Sequence, residues 1–255
     1  MTYAWMPGPE QPNTEIRMLK GQAVAGAAIG ILVLDLWYPY VLGNVANGST
    51  FNFPVLFRIL KGSTGEQVVT GSPVLLKMIL EAGKELEQQG VRAIVGACGY
   101  FGHFQKEASM KFNVPTFLSS VLQVPIIMRA LKPKQKVGII CANSPYLTPS
   151  LLTQCGVTDL SRVVIVGTEK CPEFRNIIEC TGRFNSHKIE LELVNVAKKL
   201  VSQNPEIGSI LLECSDMPPY AWAIQNAVRL PVFDFITMIK WIYDAVVRKP
   251  FAGFV

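Results

Sequence analysis

Ala93-Ile94-Val95-Gly96-Ala97-Cys98 and Ile210-Leu211-Leu212-Glu213-Cys214 follow one plan. Each is a short apolar run that ends in a cysteine. Each continues through a turn, Gly99-Tyr100-Phe101-Gly102 in the first case and Ser215-Asp216-Met217-Pro218-Pro219 in the second, toward a helical stretch. Short apolar runs bounded by turn residues read as buried strands. In parallel α/β sheets, ligands bind outside the carboxyl ends of the strands. Both thiols are therefore expected at the functional edge, one in each half of the chain.

The surrounding sequence extends the pattern. Strands are expected at 28–34, 92–97 and 114–118, with helices at 73–89, 103–112 and 122–131. Residues 35–72 read as a long loop. The series then restarts, with strands at 136–141, 162–166, 209–213 and 232–233, and helices at 148–155, 188–203, 220–228 and 236–247. In 73–89, Val74, Leu75, Met78, Ile79 and Leu86 recur at helical spacing and Gly90 supplies the stop. Strands alternating with helices imply parallel sheets covered on both faces. The restart suggests a first lobe from 21–132 plus 231–255 and a second from 133–230. Residues 1–20, Pro-rich and polar, read as a flexible leader. If the lobes pack face to face, the thiols meet across one cleft.

Composition narrows the function classes. The 255 residues are 49% apolar and 17% charged, which fits a large buried core and excludes disorder. The net charge of +5 comes without a dense basic run, which argues against nucleic acid as a partner. It suits a small carboxylate substrate. Six cysteines and two histidines show neither CxxC nor HxxxH spacing, so no metal is expected. A chain this long and apolar does not need disulfides, and free thiols in a reducing, intracellular compartment are expected. The apolar segment from Ala23 to Leu34 is too short to span a membrane and reads as a buried strand.

A cysteine between a strand and a helix start meets backbone N–H groups and the positive end of the helix dipole, which lower a thiol pKa. Cys98 and Cys214 are accordingly expected to be reactive, although each also fits as a small buried apolar residue. Cys141, Cys155, Cys171 and Cys180 read as structural, with cleft lining as the alternative for Cys141 at the end of a strand. His103 follows Cys98 by five residues and reads as a group that caps, packs or lines the cleft, with general acid–base catalysis as the alternative. His187 reads as solvated. By strand alternation Glu213 points away from Cys214, against a direct role in activating it.

The two cysteine motifs, Ser119-Ser120-Val121-Leu122-Gln123-Val124-Pro125, and Leu212 through Tyr220 together resemble the aspartate/glutamate racemase superfamily over roughly residues 29–251. Gly43-Asn44-Val45-Ala46-Asn47-Gly48-Ser49-Thr50-Phe51 resembles a stretch of one branch usually written GDxGNPxTF. Here Asn44 and Gly48 stand where Asp and Pro are usual, and Ser215 replaces the commoner Thr. The Cys-Gly-Tyr-Phe run most resembles the Alma-type dimethylsulfoniopropionate lyases.

The resemblance implies two pseudo-symmetric Rossmann-like, flavodoxin-like halves with the site between them, no cofactor, and a homo-oligomer. Cys98 and Cys214 would be the acid–base pair. Substrate would be held by backbone near Gly99 and Ser215, by Tyr100, and by Asn143, Ser144 and Tyr146. A lyase would remove the proton α to a carboxylate and expel dimethyl sulfide, leaving acrylate. A racemase would return a proton to the opposite face from the second thiol. The sulfonium of the lyase substrate favours aromatic faces, of which Trp37, Tyr38, Tyr40, Phe51, Tyr100, Phe101 and Tyr220 are candidates. An amino-acid ammonium would instead draw on Asp35, Glu213 or Asp216. A small-molecule binding protein with unreactive thiols is the non-enzymatic alternative.

Overall fold

In a computed structural model, which describes residues 20–251, 253 and 254, the apolar run at 28–34 becomes β1 (Ile29–Leu34), buried along its whole length. It lies between β2 (Val55–Leu60) and β3 (Ala93–Gly96), and β4 (Thr116–Phe117) closes the sheet in the order β2-β1-β3-β4, all parallel. The second half repeats this. There β5 (Lys136–Cys141) lies between β6 (Val163–Gly167) and β7 (Ile207–Leu212), and β8 (Val232–Phe233) completes a parallel sheet in the order β6-β5-β7-β8. The same order in both sheets gives the chain two pseudo-symmetric flavodoxin-like halves. The leader expected at 1–20 lies, except for Lys20, outside the described residues.

The longer helices follow their sequence signals. In the first half the helices are α1 (Gly65–Val69), α2 (Pro73–Gln88), α3 (Gln105–Lys111) and α4 (Val124–Ala130). Ser72 caps α2 by accepting from the N–H of Val74, Pro73 stands at its first position, and Leu75, Ile79 and Leu86 bury one face. In the second half come α5 (Pro149–Gln154), α6 (Arg175–Ile178), α7 (Ser186–Gln203), α8 (Ala221–Val228) and α9 (Phe235–Val246). In α7, Ile189, Leu193, Ala197 and Leu200 form the buried stripe. Asp234 and Thr237 make a capping box at the start of α9.

Strand alternation divides the core into layers. Ile29, Ile31 and Val33 face α9 through Phe235, Met238 and Ile239. Leu32 and Leu34 point the other way, into a central core that also takes Val137, Ile139 and Leu211 from the second sheet. Beyond that sheet, Ile140, Ile210 and Leu212 pack on α7 and α8. The central core belongs to both halves, so the two sheets are built into one body.

Two expectations need correction. Residues 35–72 are not a continuous loop, because they contain β2 and α1. As an edge strand, β2 is largely half-exposed and carries Arg58, which pairs with Glu85, so it lacks a clean apolar pattern. The return to the first lobe also comes after Phe233 rather than at 231, because β8 pairs with β7 in the second sheet. Among the described residues, no helix is long and apolar enough to cross a membrane.

Candidate active site

A cavity of about 500 Å³ opens at the carboxyl ends of the strands. It is lined by the segment after β1 (Leu36, Tyr38, Tyr40, Asn44), by α1, and by Cys98 and Tyr100 after β3. The second half contributes Ala142, Asn143 and Tyr146 after β5, Phe174 and Ile177 after β6, and Cys214, Ser215 and Asp216 after β7. Parallel pairing puts all these segments at one edge, so two cysteines 116 positions apart in the chain line the same space.

The two thiols have different neighbours. Cys98 precedes a 3₁₀ stretch, Gly99–Phe104, and its side chain makes no capping hydrogen bond to that stretch. Burial pushes its pKa up and nearby Glu213 adds to the rise, while the backbone N–H groups of Tyr100 and Phe101 pull it down. Cys214 donates to Asp216 Oδ2 at 3.4 Å. Burial and then the charges of Asp216 and Glu213 hold it well above the usual thiol range, opposed by the N–H of Asp216. The lowered thiol pKa expected from the strand–helix placement is thus reversed, because desolvation outweighs the backbone donors.

Asp216 is 6% exposed and accepts from three donors. The Tyr38 hydroxyl donates to it at 3.1 Å, the Asn44 amide donates to its other oxygen, and Cys214 supplies the third bond. Burial raises its pKa, whereas these three donors lower it. The departure of Asn44 from the usual Asp has a physical consequence here. An aspartate at 44 would face Asp216 directly, whereas an amide donates to it.

Glu213 is fully buried, with one oxygen accepting a long bond of 3.4 Å from the Ala142 N–H and the other unpartnered among the described residues. Burial raises its pKa to about 8. Its carboxyl lies against Gly99, where an added Cβ would fall 2.0 Å from Glu213 Oε1 and 2.5 Å from the Glu213 carbonyl oxygen. Only glycine allows that approach. Glu213 was not expected to activate Cys214, and when ionised it disfavours the thiolate form of both cavity thiols.

The other expected substrate contacts divide. Asn143 and Tyr146 line the cavity. The Asn143 backbone is occupied through both its N–H and its carbonyl by the Tyr100 hydroxyl, at 2.7 and 2.8 Å. The Ser215 hydroxyl donates to the Ala97 carbonyl at 2.8 Å. Ser144 and Gly99 are not part of the lining. Glu169 takes the Ser144 hydroxyl at 2.9 Å and its N–H at 3.3 Å, and Gly99 packs on Glu213. His103 sits in the 3₁₀ stretch ahead of α3 and against Gly71, away from the lining. Sequence reasoning missed α1, whose Glu66, Val68 and Val69 form one wall, and the Asp216 contact to Cys214. The i,i+2 spacing of Cys214 and Asp216 within a turn was the available signal for the latter.

No family model matches the chain. It is 33% identical over 236 residues to dimethylsulfoniopropionate lyase 3 of Emiliania huxleyi, covering 89% of this chain and 61% of that protein. It is 30% identical over 242 residues to the dimethylsulfoniopropionate lyase of Durusdinium sp. clade D, covering 92% of this chain and 80% of that one. Among solved structures, glutamate racemase RacE1 from Bacillus anthracis matches in fold with a TM-score of 0.55 at 13% identity, over 88% of this chain and 85% of that one. The chain therefore belongs to the dimethylsulfoniopropionate lyase family, and it shares its fold with the glutamate racemase structure.

Proposed function

We propose that the chain is a cofactor-independent carbon–sulfur lyase that cleaves dimethylsulfoniopropionate to dimethyl sulfide and acrylate. One observation carries this reading beyond kinship. The cavity that takes both thiols is lined by two carboxyl side chains, Glu66 and Asp216, and by no Lys, Arg or His among the described residues. Such a site suits a zwitterion whose cationic group needs faces and negative charge. It suits a dicarboxylate amino acid poorly.

The Cys98 thiolate is the base in this reading, since backbone donors favour its charged form. It takes the α proton, the C–H electron pair becomes the Cα–Cβ π bond, and the Cβ–S bond breaks with its pair going to sulfur. Dimethyl sulfide leaves neutral, acrylate keeps the carboxylate charge, and one proton is released per turnover as Cys98 is restored. Cys214 lies on the same cavity and assists. Burial keeps the resting thiols protonated, so a bound cation must favour thiolate formation, because an opposite charge nearby stabilises the ionised form. Carboxylate recognition falls to Asn143, Tyr146 and the backbone near the thiols. Their neutral donors stabilise the extra charge that builds on the carboxylate in the transition state as the α proton leaves.

The two-cysteine racemase remains the second reading, favoured by the paired thiols and the shared fold. Headspace chromatography of purified protein with dimethylsulfoniopropionate separates the two. Release of dimethyl sulfide is expected. No dimethyl sulfide, together with α-deuterium incorporation into aspartate in D₂O, would sink the lyase reading. A homo-oligomer, which sedimentation velocity checks, belongs to the same proposal.

A further inference from the structure

We propose that Tyr38, Tyr40 and Asp216 form a subsite for an onium cation, a sulfonium or quaternary ammonium group, at the Cys214 end of the cavity. The tyrosine rings lie with centroids 4.7 Å apart and planes tilted by 46°. Both line the cavity. Both hydroxyls are committed, Tyr38 to Asp216 and Tyr40 to the Leu36 carbonyl, each at 3.1 Å. The rings are thereby fixed, and their faces remain for a ligand. Burial pushes the Tyr40 hydroxyl up to about 12 and that of Tyr38 well above its usual range, so both rings stay neutral.

Asp216 supplies the second, independent observation. It is more than nine-tenths buried, lines the cavity, and makes no ion pair with a described residue. A buried carboxylate without a counter-ion is costly, and a ligand cation would provide one. The type of cation follows from hydrogen bonding. A primary ammonium carries three N–H donors that each need an acceptor. The Asp216 oxygens are already engaged by Tyr38, Asn44 and Cys214, and the tyrosine oxygens are donating elsewhere. A methylated onium group has no donor to satisfy. It needs only negative charge and aromatic faces, and both are present.

The subsite rests on the lyase reading for the identity of the sulfonium, but cation binding itself can be tested without turnover. Isothermal titration of the intact chain would compare 3-(trimethylammonio)propanoate with its uncharged carbon isostere, 4,4-dimethylpentanoate. The cation is expected to bind at least tenfold more tightly. Tyr40→Leu should cut that ratio below threefold, and Tyr40→Phe, which keeps the ring, should preserve it. Circular dichroism checks that each variant folds. Equal affinities in the wild type, no binding of either ligand, or a ratio unchanged in Tyr40→Leu would overturn the subsite. If Tyr40→Leu does not fold, the Tyr40→Phe ratio and Asp216→Asn decide instead. Asp216→Asn should lower the ratio at least threefold, and an unchanged ratio in that variant overturns the proposal. A wild type that prefers the cation yet releases no dimethyl sulfide would refute the lyase reading and leave the subsite standing.

Discussion

The turns that follow β3 and β7 occupy equivalent places in two sheets of identical order, and each begins with a cysteine on the same cavity. Their electrostatics differ. The first turn offers Cys98 only backbone N–H groups, from Tyr100 and Phe101. The second offers Cys214 a carboxylate, Asp216, that accepts its proton. Donors stabilise a thiolate and an acceptor stabilises a thiol. A repeated backbone has thus been given two different proton affinities by what lies two or three residues past each cysteine.

Removing each sulfur in turn is the strongest way to break this comparison. Cys98→Ala should lower dimethyl sulfide release by ~10³-fold, the scale of losing a positioned base. Cys214→Ala should cost ~10- to 100-fold, because a neutral leaving group needs no acid. Equal losses would mean that the two turns are functionally interchangeable.

Glu213, at the end of β7, tests the comparison through stability. Its carboxyl keeps a proton to about pH 8 in the folded chain but ionises near 4.5 when solvated. The folded state therefore binds more protons between those values, and stability falls as pH rises through that window. Glu213→Gln should leave urea stability near pH 5 almost unchanged. Above pH 8 it should raise stability by about 2–4 kcal/mol. A variant no more stable than the wild type at pH 9 would show that the carboxyl is satisfied in some other way.

Smaller effects sharpen the contrast. Asp216→Asn should quicken iodoacetamide labelling of Cys214 several-fold, because the strongest charge opposing its thiolate is removed, and should change Cys98 less. Peptide mass mapping of the alkylated sites reads both rates. Cys155→Ala should change turnover by less than about twofold, since Cys155 packs against Gly102 and Leu151 outside the cavity lining, at a cost of ~1 kcal/mol in stability.

Much of this architecture was legible in the residues. β1, β3, β5 and β7 are apolar runs because they are covered on both faces, and α2, α7 and α9 declare themselves by helical spacing and caps. β2 was hidden because an edge strand has no such run, and α1 because five residues carry too little periodicity. Placing the thiols at strand ends followed from topology. Their protonation did not, because it depends on burial and on Asp216 and Glu213, whose positions are set by tertiary packing. Ser144 illustrates the same limit. Its place after β5 was readable, but its capture by Glu169 from the neighbouring strand end was not.

Several bonds join the halves at the level of the sulfurs. Tyr100 is bonded to Asn143, Ser215 to Ala97, and Ser120 to the carbonyls of Leu212 and Glu213, while Gly99 rests on Glu213. At roughly 1 kcal/mol per bond, gaping of the lobes about a hinge would sacrifice several at once. The Leu36–Tyr40 segment and α6, which also line the cavity, take no part in these bonds. The distance between the two sulfurs is thus written into the seam where the halves are sewn together, and neither half can shift alone without changing it.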